Sequence, residues 1–467
     1  MSDYRRTKPR NVSERLYRAV LSNALLARID ALRVTPSLTK EDLMLSTVMQ
    51  DIRFALCGMR RAPVWTYAAP RLFPALMAGL LVAVQAAAQS SDVAARARRD
   101  SLDARTQRNQ LAWTRGDAMR LVDSIAEAEF RRDSLGSITV AVVNGRDVAW
   151  AKSYGFADRQ RTTRATPASV YRIASITKQV TAVALMQLVD AKTVRLSDPV
   201  DLYCEEIRAV RGLTRPPTLL QLATMTSGLA RDPMDRRKWQ TGAVDGWTER
   251  LAAAMPATEA VAEPGTTYRY SNVGYAILGA AIARAAGTPY VEYVRAKILR
   301  PLGMPSTDFV LSPDMRARLA VGVDYDELYK DTLNYEDAAA DHRNGPGLGV
   351  PSGGLYATVG DVAKLVSLQL GFGPDSVLSL AALRQRNGIP VTSFPTLDFG
   401  YGLGTQVARW GDTTAVGHSG NTAGYTSQIY YDVAGRFGVI VLRSAGGGRS
   451  DAHRLAGSAF RKLRSLQ

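Results

Sequence analysis

The chain has 467 residues, 46% of them apolar and 22% charged, an ordinary globular balance with length for two or three domain-sized units. Its net charge of +16 comes largely from scattered arginines, with no basic tract interleaved with aromatics, so nothing supports a nucleic-acid partner. Two cysteines, Cys57 and Cys204, and three histidines, His342, His418 and His453, stand at no spacing that frames a disulfide scaffold or a zinc site, and no metal or organic cofactor is implied.

Residues 1–71 read as a basic leader. Residues 72–88, LFPALMAGLLVAVQAAA, form one long uncharged run, preceded by Arg60, Arg61 and Arg71 and leaving through Ala86-Ala87-Ala88. Positive flank, apolar centre and small-residue exit predict an export signal, or an inner-membrane anchor if the segment is not cleaved. The protein is therefore expected to be periplasmic, secreted or anchored, with possible membrane attachment through 72–88. A leader of this length is unusual for a signal, and a start at Met59 would give a signal peptide of normal size; if Met1 is the start, the leader is expected to be cytoplasmic. Residues 89–116 are polar and aperiodic, and read as a linker.

The working part begins near Asp117. DAMRLVDSIAEAEF has helical spacing. SITVAVVNGRDVAWAKSYG alternates around Asn144-Gly145, a hairpin signal. A long stretch of helical segments with Gly and Pro breaks follows. Near the C-terminus, SQIYYDVAGRFGVIVL predicts a second hairpin turning near Gly435, and DAHRLAGSAFRKLRSL an amphipathic helix. This order predicts an α/β (α+β) domain over 117–467: a mainly antiparallel sheet flanked by helices, with an all-helical subdomain inserted between its N- and C-terminal parts.

A serine three residues before a lysine occurs twice. On a helix the two side chains share a face, and an amine there can help deprotonate the hydroxyl. Ser37–Lys40 follows Pro36 and precedes EDLMLSTV, which reads as a helix-start cap, and it precedes the export segment. Ser175–Lys178 instead heads QVTAVALMQLV, apolar nearly all round, as a helix buried in a core would be. Helix-terminal N–H groups favour an anion there, and lost hydration lowers the lysine pKa.

From about Asp117 onward the chain resembles the serine penicillin-recognising enzymes: class C β-lactamases, D-alanyl-D-alanine carboxypeptidases and family VIII esterases. Three motifs stand in order, Ser175-Ile176-Thr177-Lys178, Tyr270-Ser271-Asn272 and His418-Ser419-Gly420, with family-like phrases such as TLLQLATMTSGL and PSGGLYATVGDVAKL between them. The resemblance implies that Ser175 is the nucleophile and carries the acyl group. It implies that Lys178 activates Ser175, and that Tyr270, as phenolate or as hydrogen-bonded partner, passes the proton to the leaving group. Asn272 would bind the substrate amide or help fix Lys178, His418 and Gly420 would bind substrate, and the backbone N–H groups of Ser175 and Asn421 would form the oxyanion hole. Taken singly, Tyr270 reads as packing, Asn272 as a helix N-cap and His418 as a strand residue. His342 matches no motif, and His453 is expected at the surface.

Two departures matter. His418 stands where most β-lactamases have lysine, and an unperturbed histidine, with a pKa near ~6.5, is only about a quarter protonated at pH 7. That points toward peptidases and esterases. Met225 stands where histidine is common, which reads as a packing change away from the chemistry. The expected activity is a serine hydrolase working on a peptidoglycan-type peptide or an ester, with β-lactamase a third choice. A catalytically idle, anchored binding protein is the alternative of another class. No G-x-S-x-G occurs, which argues against an α/β-hydrolase.

Overall fold

The computed structural model describes residues 116–467 except 327–331, 336–338, 340–342, 389–391 and 394–398, together with 103, 104 and 107. The leader, Ser37, Lys40, Met59, the segment 72–88, nearly all of the linker and His342 lie outside the described residues. Among the described residues no helix is long and apolar enough to cross a membrane.

Helix α1 (Asp117–Phe130) leads into β1 (Ser137–Asn144) and β2 (Asp147–Gly155). The hairpin turn is one residue later than the sequence suggests. Asn144 closes the ladder opposite Asp147, and Gly145, at φ 59°, begins the turn. The left-handed conformation is why glycine stands there. After the helical middle come β3 (Thr392–Ser393), β4 (Phe399–Tyr401), β5 (Gln406–Trp410), β6 (Thr413–Thr422), β7 (Tyr425–Asp432) and β8 (Phe437–Arg443). They join β1 and β2 in one antiparallel sheet of order β2-β1-β8-β7-β6-β5-β4-β3. The first strand thus pairs with the last, Ile138 opposite Arg443.

Both faces of the sheet centre are covered, so β1 is buried along its whole length instead of alternating buried and exposed. The strand period still sorts its side chains. Val140 and Val142 of β1, with Val439 and Val441 of β8, pack under α1 and the final helix α5 (Ala452–Arg464). Ala141, Val143, Ile440 and Leu442 face the other way, into the core shared with the helical middle. At the join of the two chain ends, the buried Arg443 guanidinium meets Asp133 at 3.0 Å and Asp133 also accepts from Ser450 N at 2.7 Å.

The helical middle holds α2 (Thr177–Asp190), α3 (Asn272–Ala286) and α4 (Val359–Gln369) among shorter turns. It is not wholly helical. Tyr171–Arg172 pairs with Tyr356–Ala357, and Val323–Asp326 joins Thr332–Asn334 and Ala445–Gly446. These short ladders tie the helical part to the sheet beside the site.

Candidate active site

The chain enters α2 through a tight turn, Ala174–Ile176, that carries Ser175. Ala174, buried beside it, has φ 46°. A left-handed non-glycine residue costs about 1–2 kcal/mol, so its surroundings must hold it there. Strands β6 and β7 do this. A side chain at Gly420 would collide with the Ile173 carbonyl and with Ala174 Cβ, and Ser427 Oγ donates to Ile173 O at 3.0 Å. Gly420 is thus the seat of the serine turn and does not line the cleft.

Lys178, one turn into the helix region, is fully buried. Its Nζ donates to Ser352 O at 2.7 Å and to Asn272 Oδ1 at 2.9 Å, and lies 3.2 Å from Ser175 Oγ. Burial, reinforced by the nearby Arg231 and opposed by Asp232, holds its pKa well below the usual lysine range. In its deprotonated form this amine has two N–H donors, matched by the two carbonyl oxygens, and one lone pair, which then faces the Ser175 hydroxyl.

Tyr270 lies beside Ser175, close enough for the two hydroxyls to interact. Lys178 Nζ stands 4.9 Å and Arg231 Cζ 5.1 Å from its ring centroid. Burial pushes the phenol up to about 12, while the Ser175 hydrogen bond and Arg231 pull it down and Asp232 raises it further. The phenol is therefore protonated at neutral pH, because desolvation outweighs the nearby cation.

Asn272 is the first residue of α3, and the cap is its neighbour. Ser271 Oγ accepts from Gly274 N at 2.9 Å and donates to Ala230 O at 2.7 Å. The Asn272 amide is thereby free to bridge Lys178 and Asp232, donating from Nδ2 to Asp232 Oδ1 at 3.0 Å. Met225 takes part as well. It is buried, but its Sδ accepts from Ser271 N at 3.2 Å and its carbonyl from Arg269 N at 2.7 Å. This residue holds the Tyr270-Ser271-Asn272 segment in register, closer to the chemistry than its sequence context suggests.

His418 sits on β6, fully buried and behind the cleft wall. Its Nδ1 lies 2.6 Å from the Ser419 carbonyl, which can only accept, so Nδ1 carries the proton and Nε2 accepts from Tyr401 OH at 3.0 Å. Burial, with Lys178 adding to it and the Ser419 carbonyl opposing, pushes its pKa down to about 3. It is neutral at pH 7, where the unperturbed value would leave it partly charged. Its ring centroid is 6.3 Å from that of Tyr270. His453 is exposed on α5 as expected, with Nδ1 2.7 Å from Tyr430 OH.

A cleft of about 830 Å³ opens over Ser175. Ser175, Asn272 and Asn421 line it, together with Arg231, Asp232 and Arg236. Sequence reasoning missed Arg231, Asp232, Tyr401 and the Ser352 carbonyl. The adjacent Arg-Asp charges just beyond TMTSGLA were the available signal for the first two. Among the described residues no group of three or more His, Cys, Asp or Glu side chains converges as a metal site would require.

The beta-lactamase family model matches residues 122–461. The chain is 31% identical over 248 residues to the D-alanyl-D-alanine-carboxypeptidase/endopeptidase AmpH of Escherichia coli K12, covering 53% of this chain and 60% of AmpH. It is 25% identical over 334 residues to Protein flp of Staphylococcus aureus N315, covering 70% and 63%. The chain thus spans less than two thirds of either curated relative. Among solved structures, the octameric penicillin-binding protein homologue from Pyrococcus abyssi matches with TM-score 0.62 and 26% identity over 74% of this chain and 77% of that one. A class C beta-lactamase matches with TM-score 0.62 and 20% identity over 75% and 97%, a likeness of fold.

Proposed function

The chain belongs to the beta-lactamase family, and from that premise we propose that it is a serine hydrolase working through an acyl-enzyme on Ser175. The observation that carries this reading is the buried amine of Lys178, 3.2 Å from Ser175 Oγ with its other partners both acceptors. Ser175 Oγ attacks the substrate carbonyl carbon, and its proton passes to Lys178 Nζ. The oxyanion is taken by the backbone N–H groups of Ser175 and Asn421, a contact whose loss typically costs about 10²–10³ in rate. The tetrahedral adduct collapses as the bond to the leaving group breaks. Tyr270, a neutral phenol beside Ser175, donates its proton to the leaving nitrogen or oxygen and recovers one from Lys178. Water then attacks the acyl carbon by the reverse path and restores Ser175. Asn272, held by Asp232, keeps the amine oriented, and His418 supports Tyr270 from behind.

The substrate is a cell-wall-type D-amino-acid peptide or a carboxylic ester. The peptide reading draws on the AmpH likeness. With His418 neutral and buried, the third motif supplies no fixed cation, which disfavours efficient penicillin hydrolysis. The work would be done outside the cytoplasm, with 72–88 as signal or anchor.

The test is a panel of a short-chain p-nitrophenyl ester, a D-Ala-D-Ala peptide and a chromogenic cephalosporin on the purified protein and its Ser175→Ala variant, with mass spectrometry of the trapped adduct. Turnover and adduct should both vanish with Ser175. Turnover that survives the substitution would rule the mechanism out.

A further inference from the structure

The cleft needs an anchor for its substrate, and the side chains at its centre leave few choices. Lys178 is fully buried with its donors committed to Ser352 O and Asn272 Oδ1. His418 is walled off by Tyr401 and the Ser419 carbonyl. Arg231 differs from both. Its side chain is 63% exposed, it lines the cleft, and its guanidinium lies over the ring of Tyr270, 5.1 Å from the centroid. Ser175 lines the same cleft and interacts with that ring's hydroxyl, so Arg231 is a permanent cation beside the candidate nucleophile.

Its acid neighbour does not cancel it. Asp232 Oδ1 is taken by Asn272 Nδ2 at 3.0 Å, and Oδ2 stands 3.5 Å from Arg231 Nε and 3.9 Å from Arg236 Nε. Two guanidinium groups thus share one carboxylate already engaged elsewhere. Four arginines line the whole cleft against two aspartates, of which Asp324 accepts from Gly424 N at 2.9 Å. A low-dielectric cleft of one prevailing sign concentrates ligands of the other.

We propose that Arg231, with Arg236 beside it, is the specificity residue of this cleft and docks a carboxylate of the substrate, the role for which the third motif here supplies no cation. The inference rests on the hydrolase reading above. Guanidinium and carboxylate match in a planar two-bond contact that an ammonium cannot reproduce.

Two ester pairs test it on the full chain. Mono-p-nitrophenyl glutarate against p-nitrophenyl butyrate places a carboxylate on the acyl side. 3-Carboxyphenyl acetate against phenyl acetate places it on the leaving group. At least one charged ester should be preferred by about tenfold or more in kcat/KM, mainly through KM. In Arg231→Gln that ratio should fall toward one, and Arg231→Lys should retain part of it. With unaltered protein the ratio should also fall severalfold between about 0.02 and about 0.5 M salt, since shorter screening lengths weaken an exposed ion contact. This measurement stands even if a variant fails to fold. Ser175-dependent turnover with no charge preference, or a preference indifferent to Arg231→Gln, overturns the inference and leaves the hydrolase reading intact. Failure to turn over any charged ester overturns the inference, and no Ser175-dependent turnover of any ester, of the D-Ala-D-Ala peptide or of the cephalosporin sinks both.

Discussion

Lys178 and His418 are both fully buried bases within one cluster, yet their surroundings give them opposite characters. Lys178 heads a helix whose end opens on the cleft, and its contacts are two carbonyl oxygens and one hydroxyl. Its lone pair therefore has one direction left, toward Ser175. His418 lies mid-strand, between a carbonyl that fixes its proton and a tyrosine that occupies its other nitrogen. Burial lowers the pKa of both groups. Only the first faces the Ser175 hydroxyl across an open cleft. Desolvation makes a base available; its neighbours decide whether it is used.

The largest expected effect comes from deleting the used base. Lys178→Met should lower kcat/KM by at least about 10³, measured on the most reactive ester with folding verified by circular dichroism. A loss under tenfold would move the base elsewhere.

Replacing the unused one should damage stability. His418→Lys would force a cation into a closed site already next to Lys178, and should cost about 3 kcal/mol or more in urea unfolding. Comparison of motifs alone would have this change improve penicillin use; the burial of His418 removes that expectation. A variant as stable as the parent and faster on penicillins would restore it.

Acid offers a finer separation. The folded His418 pKa is about 3 and the unfolded value about 6.5, so the unfolded chain takes up the proton first as pH falls. Its contribution is complete above about 6.5 and should be lost below, at up to ~1.4 kcal/mol per pH unit. Unfolding at pH 7.5, 6 and 5 reads this slope. A His418→Asn variant with the same slope would reassign it.

The smallest effect concerns the histidine's clamp. Tyr401→Phe removes one hydrogen bond to Nε2 and should cost about 1 kcal/mol, with little change in kcat. A large fall in kcat would show that the tyrosine–histidine pair carries protons for Tyr270.

Much of this was legible in the sequence, for reasons that are local. The head of a buried helix at Ser175, both hairpins and the amphipathic helix at 452–464 follow from periodicity and turn chemistry. So does the inserted position of the helical part, which rests on the order of elements. What was not legible depends on partners distant in sequence. The cap of α3 passes from Asn272 to Ser271 because Asn272 is claimed by Lys178 and Asp232. The state of His418 is set by Tyr401 and by the covering core, which no window around AVGHSGN contains. The glycine of the third motif looked like a substrate contact, whereas its lack of a side chain admits the Ile173–Ala174 backbone.

The pairing of β1 with β8 also bears on when the molecule becomes competent. One edge of β1 has no partner until Phe437–Arg443 has been made, and the turn carrying Ser175 rests on Gly420 and Ser427. Contacts of such wide sequence separation form late and slowly. The geometry of the candidate site is thus among the last things the chain acquires, after nearly all of it has been synthesised. A polypeptide cut short before β6 would keep Ser175, Lys178 and Tyr270 and still be inert, for want of the floor beneath them.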